Sequence, residues 1–334
     1  MSSATNRVGC WVWRVCAALC VAVAAVAVVA APVAQADGPV TCKVGAYVMD
    51  TYDFSPAGGS FRADLWVWSL CPDEGHDPLE VMEFTNANKV EKSLHATTPV
   101  DEGVWGYMKV VGSFRVDWDT RAFPFDRHRL VIAMEPTDDI SDSRYVADKE
   151  NTTYDLDAIP EEWQIVSFRI VKSRHTYRTT FGDPALKPEK GSTYDRLELQ
   201  MDIARAEYNS FIKLTGPVYV ASMITLVIFV LVLDSAEVML GRLSLLGAVL
   251  FAIVVNMQQS STTIGAETAL TLTDKIHILG LVFTIIMLGI TIITWTTSGG
   301  SDRNPSRERR RVIIAAVMYV LSNLAVILPA AISG

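Results

Sequence analysis

The chain has 334 residues, 50% of them hydrophobic, and a formal net charge of −8 at pH 7. This length and a positive mean hydropathy leave room for a modest soluble domain and a small membrane domain. Residues 37–210 contain 19 basic and 31 acidic residues, a net charge of −12, which argues against nucleic acid or anionic lipid as a partner of that part.

The first 36 residues have the features of a secretory signal peptide. Two arginines precede an apolar run over residues 17–31, and Ala34-Gln35-Ala36 matches a signal-peptidase site. We therefore expect residues 1–36 to be removed before Asp37. The alternative is an uncleaved anchor, which would add a fifth membrane span.

Cleavage would leave two cysteines, Cys42 and Cys71, in the mature chain. Export to an oxidising compartment permits a disulfide between them. A hairpin with its turn near residues 55–59 would place the two cysteines opposite each other on antiparallel strands. The pattern therefore leaves two states open, this disulfide or two free thiols.

Residues 37–210 have the pattern of one β-domain. Short runs of alternating hydrophobicity are separated by clusters of Gly, Pro, Asp and Ser. No helical pattern intervenes between these runs, so the expected architecture is a β-sandwich.

Four apolar segments follow, each long enough to cross a bilayer. They cover residues 213–233, 239–262, 275–295 and 312–332. The link at residues 298–311 is rich in arginine, so the positive-inside rule predicts that it is cytoplasmic. The β-domain would then lie outside the cell or in the periplasm, and the chain would be a multi-pass protein of the plasma membrane.

The second apolar segment carries a line of side chains with polar ends and an apolar middle. At about 100° per residue, six side chains fall close to one line. They are Ser244, Ala248, Phe251, Val255, Gln258 and Thr262. We interpret this line as a pore wall, and the alternative is that Ser244, Gln258 and Gln259 hydrogen-bond a neighbouring helix.

The most specific motif is Phe123-Pro124-Phe125-Asp126, in which a proline between two aromatic residues favours a tight, exposed turn. With this motif, an external β-domain and four spans, the chain resembles the bacterial pentameric ligand-gated ion channels, members of the Cys-loop receptor superfamily that lack the loop cysteines. Shorter matches to that family occur in the expected order, namely Asp64-Leu65-Trp66-Val67-Trp68, Glu83-Phe84-Thr85-Asn86, Ile203-Ala204-Arg205, Pro217 and Thr271-Leu272-Thr273.

The resemblance implies an extracellular immunoglobulin-like β-sandwich followed by a four-helix transmembrane bundle over residues 211–334, assembled as a homopentamer. Five copies of the second helix would line a pore, and Phe251 and Val255 would form a hydrophobic gate. A ring of five Glu237 side chains just before that helix would favour monovalent cations. Arg242 argues against this selectivity unless it turns away from the lumen, as the corresponding basic residue usually does in the family.

The resemblance also implies two groups of functional residues outside the pore. The residues that would couple the β-domain to the helices are Asp53, Phe123, Pro124, Phe125, Asp126 and Arg205. The residues that would bind the agonist are Trp66, Phe84, Glu135, Tyr177, Phe181 and Tyr194. The stretch after the Phe-Pro-Phe-Asp motif has Glu135, Asp138 and Asp139 but no aromatic residue where the family commonly has one. A cationic ligand, a divalent ion or a proton would therefore suit this site as the stimulus.

The sequence contains no enzyme signature that we can recognise. Its histidines lack metal-ligand spacing, no nucleophile has a neighbouring base, and no glycine-rich phosphate loop occurs. We therefore expect neither catalysis nor a cofactor, and we expect membrane lipids and permeating ions as partners. The alternative function is an extracytoplasmic sensor or adhesion domain anchored by four helices without transport.

Overall fold

A computed structural model describes residues 38–72, 77–184, 187, 189, 191–206, 209–231, 233–264, 270–297 and 305–333. The predicted signal peptide lies outside the described residues, and so do residues 298–304 of the predicted cytoplasmic loop.

The first part of the described chain consists of β-strands. The strands are β1 (Val40–Ser55), β2 (Ser60–Cys71), β3 (Glu83–Phe84), β4 (Ala87–Val100), β5 (Gly103–Arg115), β6 (Arg127–Glu135), β7 (Ser143–Ala147), β8 (Thr153–Tyr154), β9 (Trp163–Tyr177) and β10 (Ser192–Arg205). One sheet has the order β4-β5-β2-β1-β7, with β8 also paired to β1, and the other has the order β3-β6-β10-β9. A single-turn helix, Pro78–Val81, precedes β3.

The two sheets share one hydrophobic core. Alternate residues of β2, including Phe61 and Leu65, are buried, as are Leu197 and Leu199 on β10. Burial of each such side chain stabilises the fold by about 1.5–3 kcal/mol. The alternating pattern in the sequence thus corresponds to one face of each sheet turned toward the other, and the predicted β-sandwich architecture is confirmed at this level.

The hairpin of β1 and β2 carries the disulfide. Lys43 pairs with Leu70 in the antiparallel register, so the preceding and following residues, Cys42 and Cys71, lie opposite each other. The structure joins them through a disulfide, and both residues are buried in the core. The observed register at this end of the hairpin is therefore the one predicted from a turn at residues 55–59.

Four long apolar helices follow the β-domain. They are α1 (Asn209–Ile228), α2 (Ala236–Ile264), α3 (Leu272–Thr297) and α4 (Pro305–Ser333). Each is long and apolar enough to cross a membrane, which is the basis for describing the chain as a multi-pass membrane protein.

Two helix boundaries differ from the sequence prediction by five residues or more. Helix α1 ends at Ile228 rather than near residue 233, because the next residues form tight turns in which the N–H of Phe229 bonds the carbonyl of Leu226. Helix α4 begins at Pro305, so most of the arginine cluster is helical and not part of a loop. Proline is favourable at the first helical position because that position needs no N–H donor.

The loop between β5 and β6 rests on the helices. The Phe123–Pro124 peptide bond is cis, and the ring of Phe125 lies 5.4 Å from that of Phe211 at the start of α1. The hydroxyl of Thr273 on α3 donates to the carbonyl of Phe123 at 3.4 Å. This loop is therefore a direct contact between the β-domain and two of the helices.

Candidate functional site

Helix α2 has one covered face and one uncovered face. Leu246, Val249 and Ile253 are buried against the other helices. On the opposite side Ser244, Ala248 and Gln258 are exposed, as are Phe251, at 71%, and Val255, at 38%. The predicted line thus lies on a face that the described part of this chain does not cover.

Glu237 and Thr262 stand at the two ends of the predicted pore wall. Glu237, in the first turn of α2, is exposed. The side chain of Thr262 lies outside the described residues. Within the described part of the chain, Ser244 and Gln258 make no side-chain hydrogen bond to a neighbouring helix.

Asn256, which the sequence reasoning missed, binds two neighbouring helices. Its Nδ2 donates to the carbonyl of Leu214 on α1 at 2.9 Å and contacts Nε2 of His277 on α3 at 2.7 Å. Nδ1 of His277 lies 2.7 Å from the carbonyl of Thr273, and because a carbonyl only accepts, Nδ1 carries the proton. Asn256 therefore fixes the covered side of α2 to both neighbours.

Arg242 is directed into the helix bundle and away from the uncovered face. Its side chain is 1% exposed and forms an ion pair with Glu308 on α4. It also donates to the carbonyl of Leu231, and its guanidinium lies 4.7 Å from the centre of the Phe229 ring. The positive charge of Arg242 is thus neutralised within the bundle, whereas the carboxylate of Glu237 remains on the exposed side.

A buried ion pair lies where the β-domain meets the helices. The side chain of Asp126 is 1% exposed, and its Oδ1 accepts a hydrogen bond from Nε of Arg205 at 3.0 Å. The guanidinium of Arg205 lies 4.6 Å from the ring centre of Phe123 and 4.3 Å from that of Trp163. Because removal of one partner would leave a buried charge unpaired, this contact resists separation.

The third member of the junction cluster is His128, which the sequence reasoning did not assign. Its Nε2 lies 2.7 Å from Oδ2 of Asp126, and its ring packs against Trp118 and Trp163. Burial alone would raise the pKa of Asp126, but the hydrogen bond from His128 and the charge of Arg205 outweigh it and hold that pKa below its ordinary value. The available signal was spacing, since side chains two residues apart on a strand point to one side.

Asp53 is not part of this buried cluster. Its carboxylate is 65% exposed and lies 3.5 Å from the guanidinium of Arg62. The pairing of β1 with β2 is irregular between Tyr52 and Ser55, and Asp53 has a φ of 51°, which turns the chain locally away from regular strand geometry. Asp53 and Arg205 do line one shared cavity of about 530 Å³ at the junction.

Four of the predicted agonist residues, Glu135, Tyr177, Phe181 and Tyr194, line a cavity of about 460 Å³ near the ends of β9 and β10. The ring of Tyr177 lies 5.3 Å from that of Phe181 and 5.6 Å from that of Tyr194. Burial first, and then the hydrogen bond to Glu135, raise the pKa of the Tyr177 hydroxyl. The cavity therefore combines an aromatic wall with hydrogen-bonding groups.

Glu135 does not offer a free negative charge to a ligand. Its side chain is buried, accepts a hydrogen bond from the Tyr177 hydroxyl at 3.0 Å, and forms an ion pair with Arg196. Glu83, which is exposed at the edge of the same cavity, is the carboxylate that remains accessible there. A cation that enters the cavity would therefore meet Glu83 rather than Glu135.

The other two predicted agonist residues lie elsewhere in the chain. Phe84 belongs to the sandwich core and contacts Phe114, so its ring supports the fold rather than lining the cavity. Trp66 lies on β2 in the other sheet, with its ring 6.0 Å from that of Tyr107. Within one chain Trp66 is thus separate from the cavity.

Comparison with known proteins adds no family assignment. No family model matches this chain, and no curated protein matches it.

Proposed function

We propose that this chain is one subunit of a homopentameric ligand-gated ion channel of the plasma membrane, with its β-domain outside. The observation that carries the proposal is the uncovered face of α2. That face carries polar residues at two levels with Phe251 between them, while the opposite face is packed against α1 and α3.

A membrane helix with polar side chains on an uncovered face needs a polar surrounding for that face. Polar and charged side chains inside a membrane usually face a bundle interior or a water-filled cavity, because lipid exposure is costly. Ser244, Gln258 and Glu237 satisfy this requirement if copies of α2 surround a common axis. A closed ring of identical subunits supplies that axis, and the resemblance to pentameric channels sets the copy number at five.

The gate follows from the same geometry. In a ring of subunits the exposed Phe251 and Val255 side chains would point inward and form an apolar constriction. Such a constriction blocks ions by excluding water, and it conducts when the helices tilt apart.

Cation selectivity is supported by the placement of the two charges at the start of α2. Glu237 is exposed on that helix, and Arg242 is buried in an ion pair with Glu308. A ring of carboxylates without opposing guanidinium groups attracts cations and repels anions. We infer that the channel prefers monovalent cations.

We assign binding of the stimulus to the cavity lined by Tyr177, Phe181 and Tyr194. We assign transmission of the opening signal to the junction between the β-domain and the helices. A ligand that moves β9 and β10 would act on Arg205 at the end of β10, and therefore on its contact with Asp126 in the loop that rests on α1 and α3. The stimulus could be a small ligand, a divalent ion or a proton, which the experiment below varies.

The test is planar-bilayer recording of the purified protein across a potassium chloride gradient, with steps in pH and calcium concentration. Unitary currents with a reversal potential near that of potassium support the proposal. Phe251→Ala should give a constant leak by wetting the constriction, whereas Val317→Ala, a matched truncation of an exposed residue on α4, should not. Silence from the wild type and from Phe251→Ala under every condition would refute conduction and favour an anchored sensor.

A further inference from the structure

The junction between the β-domain and the helices contains a cavity of about 530 Å³. Asp53, near the end of β1, and Glu162, which directly precedes β9, line it from the β-domain. Ser210 and Lys213 line it from the first turns of α1. Small organic molecules usually bind in cavities of about 300–1,000 Å³, so a guest of that kind would fit here and would contact both parts of the chain.

The inner wall of this junction cavity is aromatic. The rings of Phe54, Phe123 and Trp163 line it, and the centres of the Phe54 and Trp163 rings lie 5.8 Å apart. Phe123 and Trp163 are almost fully buried, so packing fixes their positions. Aromatic surface of this kind packs well against an apolar or aromatic group of a guest.

Two charged groups of the junction cavity are already engaged within the chain. The guanidinium of Arg205 pairs with Asp126 at 3.0 Å, and the carboxylate of Asp53 lies 3.5 Å from the guanidinium of Arg62. Each of these charges is thus offset by a neighbour of opposite sign. Recognition of a charged guest therefore depends on the remaining charged groups of the wall.

Those remaining groups are the carboxylate of Glu162 and the ammonium group of Lys213. Both side chains are exposed, and within the described residues neither forms an ion pair or a side-chain hydrogen bond. They carry opposite charges and line the same cavity, yet they are not paired with each other. The cavity thus offers a free negative charge on the β-domain and a free positive charge on α1.

A guest that carries both charges is complementary to this wall. An ammonium group can pair with Glu162 while a carboxylate of the same molecule pairs with Lys213. A singly charged guest would leave one wall charge without a partner and would bring its own charge near one of like sign, which is unfavourable. The aromatic inner wall adds the requirement for an apolar part.

We propose that the junction cavity binds a free amino acid with an apolar side chain. Its ammonium group would lie at Glu162, its carboxylate at Lys213, and its side chain against Phe54 and Trp163. Such a guest would connect the β-domain to α1 directly. The site makes no use of the pore face of α2, so binding can be measured whether or not the protein conducts ions.

The test is equilibrium dialysis of radiolabelled phenylalanine against the full-length protein in detergent. Two unlabelled competitors have the same ring, and each lacks one charge: 3-phenylpropionate has no amino group and phenethylamine has no carboxylate. Glu162→Gln and Lys213→Gln each remove one wall charge. Glu161→Gln is the matched control for the first, because Glu161 is exposed but does not line the cavity, and Lys275→Gln on α3 is the control for the second. Ser210→Trp fills the cavity and leaves every charge in place.

We expect one phenylalanine per chain, and a weakening of about fivefold in Glu162→Gln and in Lys213→Gln, the factor that corresponds to loss of one partly exposed ion pair. The two control variants should bind as the wild type does, Ser210→Trp should not bind, and both competitors should be weaker than unlabelled phenylalanine.

Absence of saturable binding to the wild type would overturn the proposal. So would equal weakening by Glu161→Gln and Glu162→Gln, which would indicate diffuse attraction. A loss in only one of Glu162→Gln and Lys213→Gln, or a competitor as strong as phenylalanine, would show that only one charge of the guest is recognised. Full binding in Ser210→Trp would place the guest outside the cavity, and each of these results contradicts the assignment.

Discussion

Replacement of Asp126 by asparagine tests the junction most directly. The variant keeps the shape of the side chain and removes its charge, so that Arg205 and His128 face a neutral amide in a buried position. Loss of one partner from a buried ion pair costs about 3–5 kcal/mol. We expect about 2–4 kcal/mol here, because Arg205 is 19% exposed and also contacts two aromatic rings.

The chain contains a matched exposed pair for comparison. Asp119 pairs with Arg121 on the surface of the same loop region, and both side chains are more than half exposed. Surface ion pairs of this kind contribute about 0–1 kcal/mol. Asp119→Asn should therefore change the free energy of unfolding far less than Asp126→Asn does.

The assay is denaturant unfolding of the full-length protein in detergent, followed by tryptophan fluorescence. Trp118 and Trp163, two of the eight tryptophans in the chain, contact His128, so part of the emission change comes from the cluster. A double-mutant cycle with Arg205→Gln isolates the energy that the two residues share. The reasoning is refuted if the two aspartate variants destabilise equally, or if the cycle gives a coupling energy below about 0.5 kcal/mol.

The same cluster predicts the direction of a pH dependence. Burial alone would raise the pKa of Asp126, but His128 and Arg205 outweigh burial and lower this pKa in the folded protein. Its carboxylate therefore stabilises the fold above the ordinary aspartate pKa of about 4, and this contribution is lost as the pH falls through the lowered value. Asp126→Asn should flatten this part of the stability profile, and an unchanged acid profile would contradict the assignment.

Three further predictions concern other parts of the molecule. Glu237→Gln should move the reversal potential in a potassium chloride gradient toward zero, and an unchanged potential would remove Glu237 from the pore. Replacement of both Cys42 and Cys71 by alanine should lower the free energy of unfolding by about 3–4 kcal/mol, as expected for a closed loop of 29 residues, and denaturant titration without reductant measures this loss. Asn256→Leu should cost about 1–3 kcal/mol by removing the side-chain hydrogen bonds to the Leu214 carbonyl and to Nε2 of His277, and unfolding in detergent that matches the wild type would show that these hydrogen bonds are dispensable.

Local patterns in the sequence were sufficient for the architecture. Alternation with period two predicted the strands, and four long apolar segments predicted the helices, because both patterns arise from how a regular backbone presents side chains to an apolar environment. The pairing of Cys42 with Cys71 was also accessible, since a short turn sets the register of the hairpin that it closes. Helix ends were less accessible, as α4 shows by beginning at Pro305.

The candidate sites were only partly accessible to sequence reasoning. Five members of the line on α2, Ser244, Ala248, Phe251, Val255 and Gln258, share one exposed face, because residues on one helix keep a fixed angular relation. Its role as a pore wall stays a prediction. Partners on different elements were harder to predict. Asp53 was predicted in the coupling cluster, but the irregular end of β1 turns its side chain toward Arg62. Phe84 was predicted in the agonist site, but its ring is packed in the hydrophobic core of the sandwich.

The sequence by itself determined that a β-rich domain precedes four apolar helices, and that one helix carries a line of mixed polarity. Only the tertiary structure decided which charged side chains have an ion-pair partner. It neutralised Glu135 with Arg196 and Arg242 with Glu308, added His128 to the pair of Asp126 and Arg205, and left Glu237 and Arg311 exposed. The physical reason is that a side chain's charge acts at short range, and the partner that cancels it comes from a distant part of the chain brought near by folding.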